Sequence, residues 1–308
     1  MSSLACDEEG EENLGDCEVI PPGDWVEHVA RYVTLNSRHA KGYPSFKWKT
    51  CFLKPFQKNI SLAQKEVAFY KKIWSTAYPT PSFFPKFFGI CSRDQTGCRF
   101  IKLQDIEAPF LNPCSIDIKL GTRTYDEEAS IEKISREKLK FPYQESVGYR
   151  IIGMKVYDKK SGQYRLFDKS YGLSFNDKNI PHALLNFIFD GEFFRFDVLE
   201  KIIEKLLAIE KWFSEKSPYR FYGHSVLIVY ESDGCCNSDS VNMDQYVRPL
   251  PREHSCVDVK LIDFAHWYES EGGSIKRDES SIKGIKSLLR SFQWVESLVK
   301  SRAYTENT

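Results

Sequence analysis

Several absences narrow the class of protein. The nine cysteines contain no C-x-x-C pair, so neither a zinc site nor a disulfide framework is indicated. We therefore expect reduced thiols and residence in the cytoplasm, the nucleus or both. The sequence lacks a charged-then-apolar leader at its start and any uninterrupted apolar run of membrane-spanning length, so we expect no membrane insertion.

Familiar nucleotide-binding motifs are also missing. The chain has no G-x-G-x-x-G, no G-x-x-x-x-G-K-[ST] and no H-R-D-x-x-x-x-N, which argues against Rossmann, P-loop and ordinary protein-kinase sites. Charge of one sign is not in excess either, because 43 basic residues balance 43 acidic ones. No global basic field favours nucleic acid as a partner, so any site for a polyanion must be local.

Length and composition are compatible with two lobes that share a cleft. The chain has 308 residues, and its 22 Phe and 16 Tyr indicate a substantial core. The predicted organisation is an acidic disordered tail (1–22), an N-terminal lobe (23–110) with a hinge at 104–112, a C-terminal lobe (111–300) with a flexible insertion (232–256), and a short tail (301–308).

Hydrophobic periodicity predicts a mixture of helices and strands. In the first lobe it predicts a strand over 48–54, a helix over 61–75 and two strands within 89–105. In the second lobe it predicts helices over 128–139, 198–213 and 282–299, a hairpin that begins with a strand over 148–157, and strands over 226–230 and 257–262.

The segment from Pro113 to Gly121 carries a carboxylate and an ammonium group two residues apart. On an extended backbone, Asp117 and Lys119 leave the same face. The carboxylate can accept hydrogen bonds from a ribose or a reactive hydroxyl, and the ammonium can stabilise charge on a transferring phosphoryl group. An exposed salt-bridged pair on a strand explains the two residues equally well.

Asp263 follows a strand in which Val257, Val259 and Leu261 alternate with polar residues. An acid where a strand ends can reach Mg²⁺, which prefers hard carboxylate ligands and keeps water elsewhere. Taken alone, such an aspartate is more often a turn or cap residue.

Lys54 ends an early apolar strand, and Glu66 lies on the helix that follows. A strand lysine paired with a helix glutamate is the arrangement that grips ATP phosphates in kinase-like small lobes. Spacing alone does not establish contact, so two solvated side chains that never meet remain the alternative.

The helix predicted over 128–139 places three cations, Lys133, Arg136 and Lys140, within an arc of roughly 60°. Ile131 points the other way, toward a predicted buried face. Clustered cations suit a substrate that bears several phosphates. A solvated basic face is the alternative.

Taken together, these residues resemble the inositol polyphosphate kinase family over about residues 45–300. Pro113, Asp117, Lys119 and Gly121 match its P-x-x-x-D-x-K-x-G signature, and Ile262–His266 match its I-D-F-A-H block. The resemblance implies an α+β, two-lobed, protein-kinase-like fold that holds ATP, with the active site in the cleft between the lobes.

The resemblance also implies a role for each candidate residue. ATP and Mg²⁺ would be held by Lys54 with Glu66 (phosphates), Asp117 (ribose), Asp263 (metal) and a hinge of Gln104, Asp105 and Ile106 (adenine). The acceptor would be held by Lys119, which also stabilises the transferring group, and by Lys133, Arg136, Lys140 and His266.

We therefore expect a monomeric kinase whose partners are ATP and a soluble inositol polyphosphate. Gly121-Thr122-Arg123 resembles the hexakisphosphate kinase branch, whereas the small size resembles the multikinase branch. Both remain open, one building pyrophosphates and the other phosphorylating ring hydroxyls. A catalytically weak scaffold that only binds inositol phosphates is the alternative from another class.

Overall fold

A twisted sheet and one long helix form the first lobe. The computed structural model describes residues 17–19, 26–28, 45–56, 59–75, 80–92, 99–232, 256–270 and 277–305. The first-lobe elements are β1 (Cys17–Val19), β2 (Val26–His28), β3 (Ser45–Trp48), β4 (Cys51–Pro55), α1 (Ile60–Ser75), β5 (Phe87–Ser92) and β6 (Arg99–Gln104). The strand order is β1-β5-β6-β4-β3-β2, and only the β1–β5 pair is parallel.

Alternation on β4 and periodicity on α1 position the first site residues. Leu53 points into the core, so its neighbour Lys54 leaves the opposite face of β4. On α1, Val67 and Tyr70 are fully buried, and Glu66 is buried beside them. The helix predicted over 61–75 is confirmed, with its start at Ile60.

The second lobe combines a five-stranded antiparallel sheet with a set of helices. Its elements are β7 (Pro113–Leu120), α2 (Ile131–Lys140), α3 (Gln144–Val147), β8 (Tyr149–Asp158), β9 (Gln163–Phe167), α4 (Lys169–Leu173), α5 (Pro181–Ile188), α6 (Phe196–Glu215), β10 (Tyr219–Phe221), β11 (Ser225–Glu231), β12 (Val257–Ile262), β13 (Trp267–Glu269) and α7 (Glu279–Thr305). The strand order is β12-β11-β7-β8-β9, and β10 pairs with β13.

The central strand β7 separates the core from the cleft. Ile116, Ile118 and Leu120 are fully buried on one face, where α5 and α7 pack on the sheet. Asp117 and Lys119 alternate with them and are only half-buried on the other face. A β-bulge between Asp117 and Ile118 shifts the pairing with β8 at this point.

Aromatic packing joins the two lobes. The Phe69 ring of α1 lies 4.3 Å from the Phe264 ring and 5.3 Å from the Phe221 ring, centroid to centroid. Phe69, Phe221 and Phe264 belong to one hydrophobic cluster that continues through both lobes. This packing fixes α1 against the chain that leaves β12. The α+β, two-lobed architecture predicted above is confirmed.

Two expectations differ from the structure. Within the tail predicted to be disordered, Cys17–Val19 form β1, because their backbone groups pair with Ile90–Ser92 at the edge of the sheet. Cys51, Cys91 and Cys114 are buried and form no disulfide, as predicted, but Cys256 is disulfide-bonded, so the expectation of reduced thiols is wrong there. Residues 233–255 of the predicted insertion lie outside the described residues.

Within the described residues, no helix combines the length and apolar character needed to cross a membrane.

Three glycines allow α7 to approach the central sheet closely. Gly121 and Gly148 have φ of +98° and +80°, and the Gly121 amide donates to the Gly148 carbonyl at 2.9 Å. Gly284 of α7 lies against both, so that a Cβ on Gly284 would be 2.5 Å from the Gly148 carbonyl oxygen and 2.8 Å from the Gly121 nitrogen. This contact anchors the end of β7, immediately after Lys119.

Gly284→Ala is expected to destabilise the fold. In an open helix the same change stabilises by up to about 1 kcal/mol, but here the added methyl group overlaps backbone atoms, so we expect a loss of at least about 1 kcal/mol in the free energy of unfolding. Urea denaturation measures it, with the exposed Arg290→Ala on the same helix as the control. A Gly284→Ala variant as stable as the control would contradict this packing.

Candidate active site

Lys54 and Glu66 meet inside the cleft. The Lys54 ammonium donates to both carboxylate oxygens of Glu66, at 2.7 and 2.8 Å. Glu66 is 1% exposed, so its charge is satisfied almost entirely by this contact. The predicted strand-to-helix pair therefore forms, and the alternative of two solvated side chains is excluded.

Asp263 joins this pair from the other lobe. Its Oδ1 lies 2.7 Å from the Lys54 Nζ, and the amide of the next residue, Phe264, donates to Glu66 at 3.3 Å. Asp263 has φ of +68°, a left-handed conformation that aspartate tolerates better than most residues. This turn directs the carboxylate out of the sheet and into the cleft, where 40% of the side chain is exposed.

Lys54, Glu66 and Asp263 stabilise one another in their charged forms. Burial alone would lower the pKa of Lys54, but the carboxylates of Asp263 and Glu66 outweigh it and raise that pKa. Burial would raise the pKa of Asp263, yet the ammonium groups of Lys54 and Lys119 hold it below its ordinary value. Asp263 is thus ionised at neutral pH, which is the form that binds a metal ion.

Asp117 and Lys119 face the same cleft from β7. The Lys119 ammonium donates to the Gly223 carbonyl at 2.5 Å, so it is held in place without a carboxylate partner at hydrogen-bond distance in the described residues. Oδ1 of Asp117 is buried and accepts no hydrogen bond from a described residue. Asp117 and Lys119 therefore do not form a salt bridge with each other, and the alternative of an exposed ion pair is wrong.

The donor set fits a divalent cation bound together with a nucleotide. No group of three or more potential metal-ligating side chains occurs among the described residues. Magnesium is typically bound by one or two carboxylates and completed by substrate phosphates and water, so Asp263, with the unpartnered Asp117 oxygen nearby, meets that requirement.

Most polar groups of the predicted hinge bind other residues of the protein. The amides of Gln104 and Asp105 donate to the Lys86 and Thr50 carbonyls, both at 2.9 Å. The Asp105 carboxylate pairs with Lys47 at 2.9 Å, and Ile106 is buried. The backbone amides of Gln104 and Asp105 are therefore not available for the predicted adenine contacts.

Beside the hinge, Glu107 links the two lobes. Its carboxylate pairs with Lys47 of β3 at 3.1 Å and with Lys155 of β8 at 2.7 Å. Burial opposes its ionisation, but the two ammonium groups outweigh that effect and lower the pKa of Glu107 to about 2. Glu107 therefore connects β3 of the first lobe to β8 of the second through its two ion pairs.

The cationic stripe on α2 exists, but its environment differs from the prediction. Lys133 and Lys140 are half-buried, and Arg136 is exposed. Lys140 forms an ion pair with Glu137 of the same helix. Ile131 is 78% exposed and α2 buries none of its residues fully, so the predicted apolar face is wrong. The helix is held instead by its polar side.

His266 is oriented by a carboxylate that sequence reasoning missed. Its Nδ1 lies 2.7 Å from Oδ2 of Asp126, which is buried in the loop before α2. Burial and the charge of Lys133 lower the pKa of His266, so the ring is neutral at pH 7 and donates from Nδ1. Its Nε2 is then an acceptor. Only the folded loop brings Asp126 here, so no spacing signal could have identified it.

Asp117 is expected to make stability depend on pH. Burial, aided by the charge of Asp263, raises the pKa of Asp117 from 3.8 to about 6. Between these values the folded chain holds a proton that the unfolded chain has released, so stability falls as pH rises from about 4 to about 6 and is level above that. Asp117→Asn removes this loss, and its stability advantage over wild type should therefore grow between about pH 4 and about pH 6 and stay level at higher pH.

Thermal unfolding without nucleotide or metal measures this effect, and Asp177→Asn on an exposed loop is the matched control. An advantage that stays constant over this pH range would contradict the assigned environment of Asp117.

These features define a phosphotransferase-like cleft, and comparison with known proteins agrees. Residues 100–293, more than half of the chain, match the family described as inositol polyphosphate kinase. The protein belongs to the inositol polyphosphate kinase family.

Relatives from two branches of the family are similar to this chain. Human inositol polyphosphate multikinase is 30% identical over 207 residues, which are 65% of this chain and 50% of the relative. Mouse inositol hexakisphosphate kinase 3 is 34% identical over 170 residues, which are 54% of this chain and 42% of the relative. The chain thus spans about half the length of these curated relatives or less.

The fold is shared with a solved structure. The inositol phosphate multikinase of S. cerevisiae, determined in complex with ADP and Mn²⁺, superimposes with a TM-score of 0.64 and 25% identity. The match covers 80% of this chain and 99% of that one.

Proposed function

We propose that the protein is an ATP- and Mg²⁺-dependent kinase that transfers the γ-phosphoryl group of ATP to a soluble inositol polyphosphate. One observation carries the proposal: the Lys54 ammonium is shared by Glu66 and Asp263, carboxylates from opposite lobes, in a cleft that Asp117 and Lys119 also face. A cation for phosphates and an acid for a metal ion are the groups that phosphoryl transfer requires. The yeast structure with ADP and Mn²⁺ supports a nucleotide and a divalent cation here.

Four side chains of the cleft would position ATP and Mg²⁺ and stabilise the charge of the phosphates. Lys54 would bind the ATP phosphates while Glu66 keeps its side chain extended, and Asp117 would accept hydrogen bonds from the ribose. Asp263 would hold Mg²⁺, which neutralises phosphate charge when bound. Lys119 would stabilise the negative charge on the transferring group, since the Gly223 carbonyl fixes its ammonium without neutralising it.

The acceptor half would be formed by α2 and the chain after β12. Lys133 and Lys140 would supply cations for phosphates, with Arg136 at the solvent edge. His266 would offer Nε2 as an acceptor to a hydroxyl of the substrate, because Asp126 occupies its Nδ1. A ligand that combines phosphates with hydroxyls matches this mixture of donors and acceptors.

The type of acceptor group divides the family, and both types remain candidates here. Multikinases and hexakisphosphate kinases resemble this chain at similar identities. Retention of Asp117, Lys119 and Asp263 in one cleft argues against a pure scaffold, which has no use for a metal-binding acid.

Incubation with ATP, Mg²⁺ and a panel of inositol phosphates, with products separated by charge, tests the proposal. A single product that carries more charge than the trisphosphate from which it forms would identify a multikinase activity. A product more highly charged than the hexakisphosphate would identify pyrophosphate formation. Absence of turnover on the whole panel would overturn the kinase assignment and favour the scaffold.

Asp263→Asn is expected to reduce turnover by at least about a hundredfold, because the amide cannot replace the carboxylate as a metal ligand. The variant should still unfold cooperatively, since Asp263 is partly exposed at the end of a strand. Asp258→Asn, on the same strand, is the control and should retain activity. Near wild-type turnover in Asp263→Asn would rule out its assigned metal role.

A further inference from the structure

The position of the Lys119 ammonium depends on a backbone carbonyl. The ammonium donates to the Gly223 carbonyl oxygen at 2.5 Å, and Gly223 lies in the turn of residues 222–224 that joins β10 to β11. Gly223 has φ of +68°, and a Cβ there would be 3.2 Å from the Thr124 carbonyl oxygen, so the turn is closely packed. Contacts that hold the 222–224 turn therefore also hold Lys119.

His224, the last residue of this turn, contacts the protein through its backbone and its ring. Its carbonyl accepts a hydrogen bond at 3.1 Å from the amide of Leu120, which follows Lys119 on β7. Its side chain is fully buried, and the ring centroid lies 5.3 Å from that of Phe221 and 6.0 Å from that of Phe213. His224 thus connects the strand that carries Lys119 to the core beneath the turn.

A chain of hydrogen bonds joins the His224 ring to the start of α7. Asp278 accepts from the Phe221 amide at 2.8 Å and from the Ser281 hydroxyl at 2.7 Å. Since the one hydroxyl proton of Ser281 goes to Asp278, its oxygen can only accept from Nε2 of His224, which lies 3.5 Å away. The ring is neutral, because burial and the charge of Lys119 lower the pKa of His224 to about 3. Its single proton is therefore on Nε2.

The other nitrogen of the His224 ring is left without a partner. Nδ1 is buried and accepts no hydrogen bond from a described residue. A buried acceptor without a donor costs free energy, so an apolar side chain of similar size would serve stability better at this position. The donor at Nε2 therefore explains the imidazole better than packing does.

We propose that His224 and Ser281 are positioning residues that hold the Gly223 carbonyl against the ammonium of Lys119 during phosphoryl transfer. This inference rests on the proposed function and deepens it. The contacts run from α7 through the His224 ring to the turn, so the start of α7 determines where Lys119 presents its charge. A misplacement of about 1 Å can cost about a hundredfold in rate, which gives this support a kinetic consequence.

The His224→Leu variant separates this role from a structural one. Leucine fills similar volume and removes both ring nitrogens, so the variant should be about as stable as wild type in urea denaturation. With ATP, Mg²⁺ and the member of the inositol phosphate panel that wild type phosphorylates, kcat should fall by about tenfold or more. The Kd of ATP with Mg²⁺, measured by calorimetry, should not change, because Lys54 and Glu66 hold each other independently of the turn.

Three further variants sharpen the kinetic test. His224→Gln keeps an N–H donor close to the position of Nε2 and should recover most of the lost kcat. Ser281→Ala removes the acceptor for that donor and should lower kcat about as much as His224→Leu does. His182→Leu makes the same change at an exposed histidine of α5 and should react like wild type.

A double variant tests whether His224 acts through Lys119. Lys119→Met lowers kcat by itself, because the cation is lost. Adding His224→Leu to Lys119→Met should lower kcat no further, since residues that act as one unit have effects that do not add. A residue that only supports the fold would slow both backgrounds equally.

The outcomes separate this inference from the proposed function. If wild type is active and His224→Leu keeps its kcat, the positioning role is overturned while the proposed function stands. The same holds if the effects of His224→Leu and Lys119→Met add, or if His224→Leu loses stability and kcat together and His224→Gln recovers neither. If wild type phosphorylates no member of the panel, the proposed function is overturned and the inference falls with it.

Discussion

The site depends on one ammonium group shared between two lobes. Lys54 is bound by Glu66 from its own lobe and by Asp263 from the other, with each N–O distance at or below 2.8 Å. A buried lysine is unfavourable unless carboxylates surround it, so this contact ties the position of α1 to the end of β12. The packing of Phe69 on Phe264, immediately after Asp263, holds the same two elements together through apolar contact. Charge and packing therefore determine the same cleft geometry.

The two ends of the cleft differ in how their charges are balanced. Around Lys54, one ammonium group pairs with two carboxylates, so each carboxylate has a partner. Around Lys119 and Arg150, the carboxylates of Asp117 and Glu137 lie near the cations, but two donor groups of Arg150 have no acceptor among the described residues. The first arrangement is preorganised before any ligand binds. Under the proposed function, a polyphosphate acceptor would bind at the second, and its affinity would then depend on phosphate number and on salt concentration.

The sequence predicted the parts of the site whose signals are local. Alternation on β7 and β12 identified Asp117, Lys119 and Asp263, and their faces agree with the structure. Contacts over long chain separations could not be predicted from pattern. Asp126 reaches His266 only through a folded loop, and Arg150 meets Lys119 only through the register of β7 and β8. Nothing in their spacing distinguishes them from surface charges.

Predictions from composition and short periodicity were the least accurate. The helix α2 carries apolar residues at helical spacing, yet Leu139 is 81% exposed, because polar contacts such as Thr124 with Glu137 hold the helix instead of an apolar face. The acidic composition of the first residues predicted disorder, yet β1 forms there. Its backbone groups pair with the edge of a sheet, and this pairing does not depend on side-chain type. The composition therefore gave no signal for β1. Short elements such as α4 and β13 were missed because they have too few residues to show a period.

Calorimetric titration of the wild-type protein with ATP, with and without Mg²⁺, tests the central claim most directly. If Lys54, Glu66 and Asp263 form a joint nucleotide and metal site, ATP binds and its affinity increases when Mg²⁺ is present, since Asp263 can then bind the metal that the phosphates also coordinate. ATP binding of equal strength with and without Mg²⁺, or no binding at all, would contradict the account.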